Sequence, residues 1–200
     1  MNELMPDIFT WSWPSPRHGY NFNGYLVRMP SGNVCIDPAE MSEEVLAEIA
    51  RQGLICTVLT NRNHVRACER VRLKTGAPTF IHPGDAAEAE RLGAVVDEYL
   101  EAGQKFGQLI VHPIAGKSPG EVCLHWPERK VLFIGDACIG NPPGKCSLLP
   151  DKVMEDPVAL RRSLRRMVSE LDFDALLVGD GAPILTGGKR ALQDLVARLE

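Results

Sequence analysis

Three apolar runs, each ending in polar residues, constrain this chain more than any other feature. Leu54-Ile55-Cys56-Thr57-Val58-Leu59 runs into Thr60-Asn61-Arg62-Asn63-His64-Val65-Arg66. Val131-Leu132-Phe133-Ile134 runs into Gly135-Asp136, and Ala175-Leu176-Leu177-Val178 runs into Gly179-Asp180. Nearly uninterrupted apolar stretches of this length read as strands buried on both faces. A strand buried on both faces needs layers above and below it, so the chain must stack sheets and helices. In layered α/β proteins, sites are built where such strands end.

The remaining segments supply the layers. Residues 1–20, with Trp11, Trp13 and several prolines, read as an extended edge or ordered arm. Residues 22–28 and 33–37 read as strands joined by a Pro30-Ser31-Gly32 turn. Ser42 is a good N-cap, Glu43 and Glu44 favour the positive end of a helix dipole, and Gly53 ends that helix. A helix of about ten residues is expected between Thr60 and Gly76. Residues 77–82 read as a strand, and an Ala/Glu-rich helix spans 85–92. Residues 95–100, 108–112, 121–126 and 130–134 are strand-like. Residues 140–152 hold three prolines and no period, so they read as a loop. Asp156-Pro157 opens a helix, with Leu160, Leu164, Met167, Val168 and Leu171 on one face. A last helix starts near Gly188. The order predicts an α/β (α+β) chain with two sheets packed face to face and helices outside. No linker or repeat interrupts it, so residues 1–200 are expected to form one domain.

At the polar strand ends the chain resembles the metallo-β-lactamase fold superfamily, whose members carry Thr-His-x-His-x-Asp-His after such a strand. They add a His in a Gly-His-Ser/Thr-Pro-Gly loop, an Asp in Gly-Asp and a last His in Gly-His-Gly. The resemblance runs from about Asn23 to the C-terminus and implies a four-layer αββα sandwich. Its frame is intact in Thr60, Gly116-Lys117-Ser118-Pro119-Gly120, Gly135-Asp136 and Gly179-Asp180-Gly181. Its metal ligands are not. Asn61 and Asn63 stand at the first two His positions, Val65 and Arg66 at the Asp-His pair, and Lys117 and Asp180 at the other two His positions. Asp136 alone is retained. The resemblance therefore implies the fold and argues against the family's chemistry.

Intact sites of this kind use neutral imidazoles and carboxylates to hold divalent ions. Asn is a poor zinc ligand, Val is none, and Arg and Lys repel a cation. Arg66 and Lys117 against Asp136 and Asp180 sum to zero charge, so a paired quartet in place of metal is the expectation. A degenerate, metal-free binding or scaffolding module is the first functional reading, with no metal cofactor expected. The alternative is a hydrolase with a rebuilt site, metal-free or holding one zinc on Asp136 and Asp180 with a histidine from among His64, His82 and His112. His64 and Cys68, four residues apart, are expected to be a solvated His and a packed Cys. His82 and His112 are each read as ordinary hydrogen-bonded histidines. Cys138, near Lys117, is a candidate nucleophile if its pKa is lowered, though packing is its expected role.

Arg62, Arg66 and Lys117 would suit a small anionic ligand. The basic stretches around Arg70 and Arg162 lack interleaved aromatics, and the net charge is −4, so no nucleic-acid partner is expected. No run reaches the ~20 apolar residues that span a bilayer, and residues 1–7 lack a secretory pattern. A cytoplasmic location with six reduced cysteines is therefore expected. The sequence carries no signature of a substrate or of an oligomeric state.

Overall fold

The computed structural model describes residues 1–199. The first sheet holds β1 (Asn2–Met5), β2 (Ile8–Ser15), β3 (Tyr20–Val27), β4 (Val34–Ile36), β5 (Cys56–Val58), β6 (Thr79–Ile81) and β7 (Glu98–Tyr99), side by side in chain order. Its early strands pair antiparallel and β4 to β7 pair parallel. The second sheet holds β8 (Lys105–Phe106), β9 (Leu109–Pro113), β10 (Val122–Trp126), β11 (Val131–Gly135) and β12 (Ala175–Val178), again in sequential order. There β11 and β12 are parallel, and the other pairings are antiparallel.

The two sheets pack on a shared apolar layer that includes Tyr25, Val27, Ile36, Val58, Val111, Leu124, Phe133 and Leu177. Tyr25 and Phe133 meet edge to face across it, with ring centroids 5.4 Å apart. Helices cover both outer faces. Leu46 and Ile49 of α1 (Glu43–Gln52) and Val71 of α2 (Cys68–Thr75) pack on Leu26 and Cys35 of the first sheet. Ala86 and Ala89 of α3 (Pro83–Arg91) pack with Leu59 and Ile81. Leu160, Leu164 and Met167 of α4 (Pro157–Glu170), with Leu192 and Leu195 of α5 (Gly188–Val196), cover Cys123, Leu132, Ile134 and Leu176 of the second sheet. The result is the expected αββα order of layers.

Several elements depart from the sequence reading. The arm at the N-terminus is two true strands, and β2 pairs with β3 over eight residues, from Ile8↔Val27 to Ser15↔Tyr20. Trp11 anchors it: its indole N–H donates to the Ala39 carbonyl at 3.0 Å. The ring lies where a Cβ on Gly24 would be, 2.4 Å away. The run at 54–59 keeps only Cys56–Val58 in the ladder, and Ile55 is 42% exposed. The expected helix after Thr60 is broken into a 3₁₀ turn at Arg62–His64 followed by α2. Of residues 95–100, only Glu98–Tyr99 pairs, as the outer strand of its sheet. Among the described residues, no helix is long and apolar enough to cross a membrane.

The layer between the sheets sets stability. Phe133 is 1% exposed and touches both sheets, so Phe133→Ala should cost about 3–5 kcal/mol. Urea unfolding of this variant measures it, and a cost below about 1 kcal/mol would contradict this packing.

Candidate functional site at the convergent strand ends

Strand ends from both sheets meet at one place. Asp37 follows β4 and Thr60 follows β5, in the first sheet. Glu121 precedes β10, Asp136 follows β11 and Asp180 follows β12, in the second. Two glycines permit the approach. A Cβ on Gly135 (φ 61°) would lie 2.7 Å from Thr60 Oγ1 and 3.0 Å from Glu121 Oε1. A Cβ on Gly179 would lie 2.4 Å from His64 Cε1. Any side chain at either position would push the two sheets apart at this end.

His64 is the centre of the arrangement and is fully buried. The 3₁₀ turn, begun by Asn61 whose Oδ1 accepts from the Asn63 N–H at 2.8 Å, turns the ring inward. His64 Nδ1 lies 2.9 Å from Asp37 Oδ2 and 3.0 Å from Thr60 Oγ1, while Nε2 lies 3.0 Å from Asp136 Oδ1. Ionised carboxylates only accept hydrogen bonds, so a ring held between two of them donates from both nitrogens and is an imidazolium. Burial by itself lowers the His64 pKa. Asp37 and Asp136 reverse that and hold it at about 10. Asp37 is fixed in turn by the Thr60 N–H and hydroxyl, each donating at 2.7 Å.

The expected quartet forms as two pairs around this centre. Arg66 reaches Asp180 at 2.7 Å and lies over the Phe22 ring at 4.0 Å. Lys117 lies 3.6 Å from Asp136 Oδ2 and donates to Asn63 Oδ1 at 3.0 Å. Burial opposes ionisation of Asp136, but His64, Lys117 and Arg66 hold its pKa far below the usual carboxylate range. Burial and the neighbouring Asp136 raise that of Asp180, against the pull of Arg66.

Glu121 completes the floor. Its Oε1 accepts the Asp136 N–H at 2.8 Å and Asn61 Nδ2 at 3.3 Å, and its Oε2 has no partner. Burial and Asp136 push its pKa up to about 8, so it is mostly protonated at neutral pH. His64, Arg66 and Lys117 then balance Asp37, Asp136 and Asp180, three charges against three.

Asn61, Asn63, Arg66, Lys117, Asp136 and Asp180 are thus gathered as the motif frame requires. Val65 is not: it packs into the apolar cluster of Leu59, Cys68 and Ile81. The expectation of a solvated His64 is corrected, because its turn points it between the sheets. Cys68 packs in that same apolar cluster, the role expected for it. His82 caps α3, accepting the Gly84 N–H at 3.1 Å. His112 lies beside His125, with rings 5.8 Å apart, near Arg166 of α4 on the far side of the second sheet. Cys138 is no activated thiol: Cys146, which hydrogen-bonds it, and burial both raise its pKa. Cys146 is the thiol held below its usual value, chiefly by that same bond.

Asp37 and Glu121 were missed as site residues, and His64 stood only as one of three candidate histidines. Asp37 had a signal, since it ends the apolar run Val34-Cys35-Ile36 in the same way as Asp136 and Asp180. The Gly116–Gly120 loop is held by buried Asp85, which accepts from Ser118 Oγ at 2.6 Å, the Gly120 N–H at 3.1 Å and the Arg62 N–H at 3.0 Å. Arg62 itself pairs with Glu155.

A donor set of His64, Asp136 and Asp180 lies within 4.8 Å of one another and is the group of metal-capable side chains found among the described residues.

Two outcomes follow from these charges. Asp136→Ala leaves His64 and Lys117 facing no carboxylate on that side, so it should cost about 3–5 kcal/mol in denaturant unfolding; a cost within about 1 kcal/mol would mean a solvated cluster. The second concerns pH. The folded His64 pKa is raised from 6.5 to about 10, so its stabilisation is complete below 6.5 and is lost as pH rises toward 10. Glu121, raised from 4.5 to about 8, also binds its proton more tightly when folded, so stability falls with rising pH across that window too. Glu121→Gln should flatten the lower part of the decline and leave the upper part. Unfolding free energies measured as a function of pH test this, and stability rising through neutrality would contradict the assigned proton positions.

Comparison with known proteins bears on the family and the fold. A family model described as "Metallo-beta-lactamase superfamily" matches residues 1–199. A hydroxyacylglutathione hydrolase of Anaeromyxobacter dehalogenans is 29% identical over 162 residues, covering 78% of this chain and 59% of that protein. A second hydroxyacylglutathione hydrolase, from Fuscovulum blasticum, is 29% identical over 62% of this chain and 51% of its own length. The chain thus spans between half and three-fifths of these relatives. Among solved structures, TTHA1623 in a di-iron-bound form is 27% identical, with a TM-score of 0.71 and 92% and 96% of the two chains covered. A metallo-β-lactamase from Pontibacter korlensis shares the fold, with a TM-score of 0.80 at 18% identity over 98% and 97%. The chain belongs to the metallo-β-lactamase superfamily.

Proposed function

We propose that this protein is a superfamily member with a degenerate, metal-free site, and that it works as a binding or scaffolding module. The observation that carries this reading is His64. A metal needs a lone pair, and an imidazolium donating from both ring nitrogens has none to give. The other donors fit a divalent ion no better. Asn61 and Asn63 have their amides committed to Glu121, the 3₁₀ turn and Lys117. Val65 is packed in an apolar cluster. An ion between Asp136 and Asp180 would sit among three cations, at His64, Arg66 and Lys117.

The same pairing bears on ligands. A small anion would have to compete with Glu155 for Arg62, with Asp180 for Arg66 and with Asp136 for Lys117. A cavity of about 450 Å³ opens beside the cleft, lined by Ser12, Tyr20, Asn21, Asn23, Asn141 and Gly181, with no charged side chain in its wall. That lining favours a neutral ligand bearing hydroxyl or amide groups over the small anion expected from Arg62, Arg66 and Lys117.

A second reading has its own support in the His64, Asp136 and Asp180 donor set. Under it, a deprotonated His64 with Asp136 and Asp180 would hold one metal, and the protein would hydrolyse a hydroxyacylglutathione, as the names of its relatives state. One measurement separates the two. Protein purified without added metal or chelator should hold no stoichiometric zinc or iron by elemental analysis, and should leave a hydroxyacylglutathione intact with either ion supplied. One tightly held ion per chain, lost together with thioester hydrolysis on His64→Ala, would establish the second reading instead.

A further inference from the structure

Beyond Asp136, β11 continues into a ribbon that returns on itself. Ile139 and Ser147 exchange both backbone hydrogen bonds, at 2.9 and 3.0 Å, as an isolated antiparallel bridge. Side chains alternate along a strand, so the flanking residues Cys138 and Cys146 project to the same side of this ribbon. Both sit in the apolar layer under α4 and α5, with their thiols close enough to perturb each other. Cys35 has Cys56 and Cys68 for neighbours, but these lie in and behind the first sheet, away from this ribbon.

The ribbon also touches the cleft. Its Gly140 N–H donates to the Asp180 carbonyl at 2.9 Å, and the Ala182 N–H donates to the Gly140 carbonyl at 2.8 Å. Gly140 and Asn141 line the cavity beside the site. Between the two cysteines, residues 141–145 are exposed, so Cys146 lies one residue from solvent.

We propose that Cys138 and Cys146 are an oxidisable pair that closes to a disulfide and pins the 139–147 ribbon against the Asp180 backbone. The inference stands apart from the metal-free reading of the cleft. The oxidant is hydrogen peroxide. One sulfur attacks a peroxide oxygen, the O–O bond breaks, one water leaves, and a sulfenic acid remains. The second sulfur then attacks the first; the S–S bond forms, the S–O bond breaks, and the hydroxyl departs as a second water with the thiol proton. Two thiols are oxidised and one peroxide is reduced to two waters.

The test uses the full chain, folded, with hydrogen peroxide as probe. After quenching, the protein is alkylated, digested without reductant and mapped by mass spectrometry. The expected product is one Cys138–Cys146 cross-linked peptide pair, lighter by two hydrogens and reversed by dithiothreitol, with the other four cysteines alkylated as free thiols. Oxidation should also slow amide hydrogen exchange at Gly140 and Ala182, and the slowing should vanish in Cys146→Ala and in Cys138→Ala. If either variant does not fold, the wild-type peptide map decides alone. Free thiols, or separate sulfinic acids, at both positions after oxidation overturn the pairing; a cross-link without slowed exchange overturns the pinning of the ribbon.

Discussion

The ring of His64, held between Asp37 and Asp136, is the contact on which this end of the molecule depends. It joins a carboxylate at a strand end of one sheet to a carboxylate at a strand end of the other. Both carboxylates are buried, as is the imidazole. None of the three would be stable there alone, since an isolated charge in an apolar interior costs several kcal/mol. Together they form an alternating chain of charge, extended by Lys117 on Asp136 and by the separate pair of Arg66 and Asp180. Buried pairs of this sort are weak evidence for net stability, because well-packed apolar groups often do as well. Their effect is geometric: the two sheets meet in one arrangement, the one that satisfies every charge.

That arrangement needs room as well as charge. Gly135 lets Thr60 and Glu121 approach the end of β11, and Gly179 leaves the space that the His64 ring fills. Clamps from the first sheet hold the end of β12 in place. Asn23 donates to the Val178 and Gly181 carbonyls at 3.0 and 2.8 Å, and the Tyr25 hydroxyl donates to the Val178 carbonyl at 2.7 Å. Asp85 does the same for the Gly116–Gly120 loop. The frame of the superfamily site is therefore maintained by side-chain hydrogen bonds and close backbone packing.

A donor set can be read from distance alone or from hydrogen bonds, and here the two differ. By distance, His64, Asp136 and Asp180 form a compact trio. By hydrogen bonding, His64 is already spent between two carboxylates, and Asp180 faces a guanidinium. Hydrogen bonds, unlike distances, determine which lone pairs are free. Two buried atoms of the cluster have no hydrogen-bond partner, Arg66 Nη1 and the second carboxyl oxygen of Glu121. Its raised pKa follows from burial beside Asp136, and the proton it keeps is what lets three cations and three anions cancel.

The sequence by itself determined the layers and the places where a site would stand. Apolar runs ending in Gly-Asp, the Ser42 and Asp156 caps, and the Leu160 to Leu171 stripe are local signals, and local signals survive without a fold. The resemblance to the superfamily's motif frame likewise implied that Arg66, Lys117, Asp136 and Asp180 would come together. The tertiary structure alone decided how they pair, and that His64 lies at the centre and Val65 does not. His64 reads as a solvated residue because nothing near it in sequence marks a partner; Asp37 and Asp136 lie far along the chain, in different sheets. The direction in which a side chain points after a strand turns on a single 3₁₀ turn, and the partner that makes burial tolerable arrives only when the second sheet packs on the first.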